Sequence, residues 1–213
     1  MKLTVTTFVS LDGVMQGPGG PEEDRSGGFD LGGWLVPYSD EEMGAIIGEW
    51  FAKADALLIG RRSYDIMAAY WPGVTDPEEG KINELPKYVA SSSLLSPEWN
   101  NSHLLQGDLA KAVAELKAQP GRELQVHGSG RLIGSLLRAE LVDELRLLTS
   151  PVVVGKGQRL FDTGTAPASW ELTQVRSTSR GVIAQTYRYG GKPALGTFAV
   201  GADGKEHSIL ADA

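Results

Sequence analysis

The hydrophobic positions change period several times along the chain, and each change marks an element. Residues 2–11, from Lys2-Leu3-Thr4-Val5 through Phe8-Val9-Ser10-Leu11, are dense in β-branched and aromatic types and predict a strand. Asp12-Gly13 then signals a turn, and a Gly- and Pro-rich stretch continues to Gly33 with too few apolar residues for a core element. Long loops in compact domains are either covers of an active site or plain surface loops, and both readings stay open here. From Ser39 to about Ala54 the period becomes helical. Met43, Ile46, Ile47, Trp50, Phe51 and Ala54 fall on one stripe, and Ser39 with Glu42 predicts a capping box.

Beyond this helix the two periods alternate. Ala56–Ile59 reads as a strand, Ser63–Tyr70 as a short helix and Lys87–Ser91 as a strand. Asp108–Gln119 is a helix with Leu109, Ala112, Val113 and Leu116 on one face. Glu123–His127 is a strand, Arg131–Glu140 a helix, and Glu144–Val154 a long strand in which Pro151 hints at an edge or a bulge. Alternation of this kind predicts an α/β domain with a mostly parallel central sheet and helices on both faces. The end differs: Trp170–Thr178 and Val182–Tyr189, joined by Ser179-Arg180-Gly181, predict an antiparallel hairpin, which is not the Rossmann plan. A Gly-rich tail then carries a second hairpin, Thr197–Val200 against Lys205–Leu210. The expected organisation is one domain over residues 1–189 and a C-terminal extension over 190–213. An isolated hairpin is marginal in water, so the extension should pair with the sheet edge or with a second subunit, making a homodimer.

Composition narrows the function. At 41% hydrophobic and 22% charged residues the chain has the balance of a globular fold. It shows no basic-then-apolar leader and no apolar run long enough to span a bilayer, so no membrane role and a cytoplasmic location are expected. A net charge of −7 argues against nucleic acid and anionic membranes as partners. The absence of cysteine removes disulfides, thiolate catalysis and Cys-based metal sites. His103, His127 and His207 show no ligand spacing, so no metal is expected.

Against this acidic background two turns stand out. Leu57-Leu58-Ile59-Gly60-Arg61-Arg62-Ser63-Tyr64 and Leu124-Gln125-Val126-His127-Gly128-Ser129-Gly130-Arg131-Leu132-Ile133 each run from strand through glycine to arginine at a helix start. Glycine lets a phosphate approach the backbone, the helix start supplies unpaired N–H donors and a favourable dipole, and arginine adds a forked cation. Gly128, Gly130 and Gly134 are spaced one residue too far apart for a Rossmann fingerprint, and such glycines also serve as plain connections. The paired occurrence points to a ligand with several phosphates, such as a dinucleotide.

At these residues the chain resembles the dihydrofolate reductase-like superfamily, and within it the reductase domain of riboflavin biosynthesis. The resemblance rests on Ser10-Leu11-Asp12-Gly13, Gly60-Arg61-Arg62-Ser63-Tyr64, Tyr88-Val89-Ala90-Ser91-Ser92, Gly128-Ser129-Gly130-Arg131 and Pro151-Val152-Val153-Val154-Gly155-Lys156-Gly157 leading to Leu160-Phe161. These occur in family order and cover about residues 1–189. The resemblance implies a three-layer fold and an NADPH-dependent reductase of a small heterocyclic substrate, most like the 5-amino-6-(5-phosphoribosylamino)uracil reductases. Gly60, Arg61, Arg62 and Ser63 would form one arm of the cofactor site, and Gly128, Ser129, Gly130, Arg131 and Leu132 the other. Ser91 and Ser92 would lie by the adenosine 2′-phosphate. Hydroxyls and arginines suit that extra dianion, whereas an NADH site more often places an acid at the ribose.

Asp12 would fall near the nicotinamide and substrate end, though Asp before Gly also serves turns on its own. Phe8, Met15 and Trp34 read as cleft or core residues. His127 reads as a buried, hydrogen-bonded histidine rather than a catalytic one. True dihydrofolate reductases place a carboxylic acid on the helix before the Gly-Arg turn; here the corresponding position falls near Gly44, so weak activity on dihydrofolate is expected. The alternative to a reductase is a non-catalytic NADP-binding or scaffold protein that keeps the fold.

Overall fold

The computed structural model describes residues 1–76, 79–94 and 96–211. In chain order the elements are β1 (Lys2–Ser10), α1 (Glu41–Phe51), β2 (Ala54–Gly60), α2 (Arg61–Tyr70), β3 (Lys87–Ala90), β4 (Ser102–Leu105) and α3 (Leu109–Ala118). They continue with β5 (Glu123–His127), α4 (Gly130–Arg138), β6 (Glu144–Ser150), β7 (Trp170–Ser177), β8 (Ile183–Tyr189), β9 (Gly196–Val200) and β10 (Glu206–Leu210). An eight-stranded sheet has the order β4-β3-β2-β5-β1-β6-β8-β7. Neighbours from β4 to β6 are parallel, and β8 and β7 close the sheet antiparallel, as the hairpin signature predicts.

Alternation within the strands builds the two sides of the core. Leu124 and Val126 of β5 join Leu3 and Val5 of β1 and Ala56 and Leu58 of β2 beneath α3 and α4. Leu132, Ile133, Leu136 and Leu137 of α4 enter this cluster, and each such side chain contributes about 1.5–3 kcal/mol relative to exposure. Leu57 and Ile59 point the other way and pack with Tyr64 of α2, while Met43, Ile46 and Trp50 of α1 pack with Leu148 and Ala184. Helices therefore cover both faces.

Four features differ from expectation, each for a local reason. Helix α1 starts two residues later than Ser39: the Asp40 carboxylate accepts from Met43 N–H at 2.8 Å, and Glu42 accepts from Ser179 N–H instead of closing a capping box. Strand β6 ends at Ser150, because Pro151 has no N–H, Val152 N–H turns back to the Ser150 carbonyl at 2.8 Å, and Val154 and Gly155 N–H then turn to Asp12. Strand β4 carries no alternation and is half-exposed at the sheet edge, so its four residues gave no periodic signal. The tail forms the expected hairpin, β9 with β10, but as a separate two-stranded sheet with every strand residue exposed; it does not extend the edge of the main sheet. The stretch 12–33 is also more than a surface loop, since Val14, Met15 and Phe29 are buried.

Candidate functional site

Helix α2 leaves β2 toward β3, and α4 leaves β5 toward β6 on the opposite side, so the neighbouring strands β2 and β5 flank the topological switch point of the sheet. A cavity of about 1080 Å³ opens there, at the carboxyl ends of the parallel strands. Its wall contains every residue expected to hold a cofactor: Gly60 to Ser63, Ser91, Ser92 and Gly128 to Leu132. Phe8 and Met15 line it as well, while Trp34 is a core residue whose indole N–H donates to the Gln16 carbonyl at 2.8 Å.

The two glycine turns are tied to each other by their serines. Ser129 Oγ accepts from Gly60 N–H at 3.0 Å, and Ser63 Oγ accepts from Ser129 N–H at 3.0 Å. Gly128 and Ser129 both adopt left-handed backbone, with φ of 59° and 63°. Two successive left-handed residues turn the chain sharply from strand into helix, at a cost that the cross-turn bonds offset. Both hydroxyls are thereby spent on the neighbouring turn, and neither α2 nor α4 has a side-chain cap at its start. The first N–H groups of two helices are left open beside one cavity. An added Cβ on Gly130 would lie 3.0 Å from Met15 Sδ, so the backbone and the loop after β1 approach closely at this point.

The arginines differ in their engagement. Arg61 Nε lies 2.8 Å from both Asp65 carboxylate oxygens, one turn along α2. Arg62 reaches Asp24 Oδ2 at 3.3 Å and Ser26 Oγ at 2.8 Å, tying the loop after β1 to α2. Burial opposes ionisation of Asp24, but hydrogen bonds from Ser26 and the Arg62 charge outweigh it and hold its pKa below the usual value. The Arg131 guanidinium has no hydrogen bond or ion pair among the described residues, so it is the cation at this site free to meet a ligand anion. The Ser91 hydroxyl accepts from Leu94 N–H at 2.9 Å, a local turn that presents Ser92 beside it.

Asp12 is not part of this wall. Its carboxylate accepts from Ser10 Oγ at 2.7 Å, Val154 N–H at 3.0 Å and Gly155 N–H at 2.9 Å, and it pairs with Arg159 at 3.2 Å. The Ser10 hydroxyl, and after it the Val154 and Gly155 amides, lower its pKa to about 2. A group held this way fastens the segment after β6 to the end of β1.

On α1, Gly48 and Phe51, which the sequence reading did not assign to the site, join Gly44 and Ile47 on the cavity-facing side, and a Cβ added at Gly44 or Gly48 would meet no atom within 4 Å. Two glycines four apart beside an apolar stripe are the readable signal, because glycine weakens a helix interior and needs a reason there. The reason is room: the missing side chains leave space along this side of the cavity. Glu23 of the loop after β1 also lines the cavity, and burial raises its pKa against the hydrogen bonds from Gly19 and Gly20.

The comparisons agree with this architecture. The chain is 28% identical over 195 residues to the uncharacterized protein YyaP of Bacillus subtilis, covering 89% of this chain and 96% of that one. It superposes with a TM-score of 0.69 at 22% identity on a putative riboflavin biosynthesis protein of Shewanella sp. PV-4, covering 89% and 99% of the two chains. The diaminohydroxyphosphoribosylaminopyrimidine deaminase/5-amino-6-(5-phosphoribosylamino)uracil reductase of Thermotoga maritima gives a TM-score of 0.58 at 12% identity, over 89% of this chain and 56% of that one. Residues 1–184 match the RibD C-terminal domain, and the chain belongs to that family, with its dihydrofolate reductase-like fold.

Proposed function

We propose that this chain is an NADPH-dependent reductase of a small heterocyclic substrate, most like the 5-amino-6-(5-phosphoribosylamino)uracil reductases. The observation that carries the reading is the pair of uncapped helix starts, α2 and α4, braced together at the switch point with a free arginine between cavity and solvent. Open N–H groups from two helices fit a pyrophosphate, and Arg131 with Ser92 fits a further phosphomonoester. The cofactor would supply the hydride, and the protein's part is orientation and electrostatics. Gly44 and Gly48 leave space for a planar ring against Phe8, Ile47 and Phe51. Since α1 offers no acid at Gly44, the chain should be a poor dihydrofolate reductase, about 10²–10⁴-fold below an enzyme with a placed acid.

Titration with NADPH and NADH tests the reading, followed by a screen for NADPH oxidation against pyrimidine, pterin and carbonyl compounds. Tighter binding of NADPH supports it. Equal affinity for the two cofactors would remove the 2′-phosphate assignment, and binding without turnover would favour the non-catalytic alternative.

The reading treats residues 190–213 as an extension to a catalytic domain over 1–189, in a cytoplasmic homodimer. The extension exposes Leu195, Phe198, Val200 and Leu210 by more than two thirds each, which is costly in a lone chain. Deleting residues 191–213 should therefore shift the mass seen by light scattering from dimer to monomer; an unchanged oligomeric state would make the tail irrelevant to assembly.

A further inference from the structure

Beneath the cavity a row of buried polar side chains runs along β5. Glu123, Gln125 and His127 share the face that α1 covers, the side opposite Leu124 and Val126. Arg146 of β6, 2% exposed, grips Glu123 with two bonds at 2.7 and 2.9 Å, and Lys2 lies 3.4 Å from the same carboxylate. Burial opposes ionisation of Glu123, but these partners outweigh it and keep its pKa below the usual value. Glu123 is therefore an acceptor only.

That fixes the next residue. The Gln125 amide nitrogen donates to Glu123 Oε2 at 2.7 Å and to the Trp50 carbonyl at 2.7 Å. Neither partner can donate, so the nitrogen must face them and the amide oxygen must face His127. The oxygen lies 2.9 Å from His127 Nε2. Nε2 must then carry the proton. The charged groups acting on the ring are Arg146 and Glu123; Phe51 of α1 meets it edge-on at 5.8 Å, and Thr6 of β1 lies in register beside it. Desolvation first, and then the Arg146 charge, lower its pKa to about 4, against the pull of Glu123. The imidazole is neutral at physiological pH. Its Nδ1 has no partner among the described residues, and the residue lines the cavity on the side of Phe51, Gly48 and Gly44.

We propose that His127 is a specificity-determining residue whose Nδ1 is an obligate acceptor, locked by Gln125, for an N–H donor on a planar ligand seated against α1. The donor is a lactam or imide N–H of a heterocyclic substrate or the carboxamide N–H of a nicotinamide. Its use by a substrate rests on the reductase reading, but the lock itself does not. Gln125 is a positioning residue: it touches no ligand and acts through the ring. A site built to accept a hydrogen bond leaves its acceptor unpaired when the ligand lacks the donor, which is how it discriminates.

The test is nitrogen NMR of the protein labelled in its histidine rings, with His127 assigned by its loss in His127→Phe. From pH 8 to pH 5 the spectrum should show one neutral form, protonated at Nε2 and bare at Nδ1. A ring protonated at Nδ1, or one that titrates in this range, overturns the proposal whether or not the chain is a reductase. Gln125→Met should release the lock and populate the second tautomer; should that variant not fold, the wild-type spectrum still decides. Uracil, 1,3-dimethyluracil and NADPH are then added separately. A shift of the Nδ1 resonance with uracil, and binding about tenfold weaker for the dimethylated ring, assigns the acceptor to the substrate. A shift with NADPH alone assigns it to the carboxamide. No Nδ1 shift with uracil or NADPH overturns the ligand role while leaving the lock in place, and failure of NADPH to bind at all counts against the reductase reading instead.

Discussion

The helices of this molecule begin in two different ways. Helices α1 and α3 start behind Asp40 and Asp108, whose carboxylates accept from Met43 N–H at 2.8 Å and Lys111 N–H at 3.0 Å. Helices α2 and α4 start behind Gly60 and Ser129 with no side-chain cap. Asp at a cap satisfies an orphan donor and complements the dipole, and it is the cheapest way to end a helix. The uncapped starts give up that gain, and they are the two that face the same cavity. Ser129 holds the cap position of α4 in left-handed rather than extended backbone, and its hydroxyl accepts from Gly60 across the turn. The scaffold helices are finished internally, whereas α2 and α4 keep their first donors open, as the proposed cofactor site requires.

A carboxylate at the start of α4 should break that division most severely. Ser129→Asp places a carboxylate where a phosphate is expected, on a residue type that tolerates left-handed backbone. One unit charge at ~5 Å with an effective dielectric of about 20 opposes a phosphate by roughly 3 kcal/mol, or about 10²-fold in affinity. The variant should melt no lower than wild type while NADPH titration shows this loss. Unchanged affinity would mean that the start of α4 does not hold the cofactor.

A finer separation lies among the arginines. Among the described residues Arg131 has no carboxylate partner, whereas Arg61 must give up Asp65 and Arg62 must give up Asp24 to serve a ligand. Arg131→Ala should weaken NADPH by about 10–10²-fold and NADH less, with Arg61→Ala milder. Should Arg61→Ala prove the more damaging, the 2′-phosphate lies on the α2 side and the assignment reverses.

Much of this was legible beforehand because strand, glycine and helix start are local signals. The parallel sheet follows from the alternation of periods, and both turns follow from Gly60-Arg61 and Gly128-Ser129-Gly130-Arg131. The engagement of the arginines was not legible: Asp65 is one turn from Arg61 and could have been anticipated, but Asp24 reaches Arg62 only through tertiary structure. The same limit applies to Asp12. Its turn chemistry was visible, yet its bonds to Val154 and Gly155 span more than 140 residues, and no local pattern carries them. Gln125 and His127 sit in a strand whose apolar neighbours set the period; their lock depends on Arg146 of β6 and the Trp50 carbonyl of α1.

Asp12 sharpens the comparison from the scaffold side, because it too is a carboxylate spent on backbone donors. Its folded pKa, about 2, lies below the ordinary value of 3.8, so its stabilisation is present above pH 3.8 and is lost as pH falls toward 2. Asp12→Asn should therefore lower thermal stability at pH 7 by more than at pH 3, and leave NADPH affinity unchanged. A variant that binds normally but no longer turns over would return Asp12 to the reaction.

The smallest effect comes from removing a finished cap. Asp108→Ala deprives Lys111 N–H of its acceptor at the start of α3, and losing such a cap costs about 0.5–2 kcal/mol. For a protein of this size that corresponds to a fall of roughly 2–4 °C in melting temperature per kcal/mol. Neither Asp108 nor Lys111 belongs to the cavity wall, although Leu109 between them does. The variant thus separates helix stability from ligand binding at a start that is near the site and still capped. Cofactor affinity should stay within about twofold of wild type while the melting temperature drops. Weakened binding at Asp108→Ala comparable to that at Ser129→Asp would show that any damage to a helix start loosens the cavity, and the distinction between capped and open starts would lose its functional meaning.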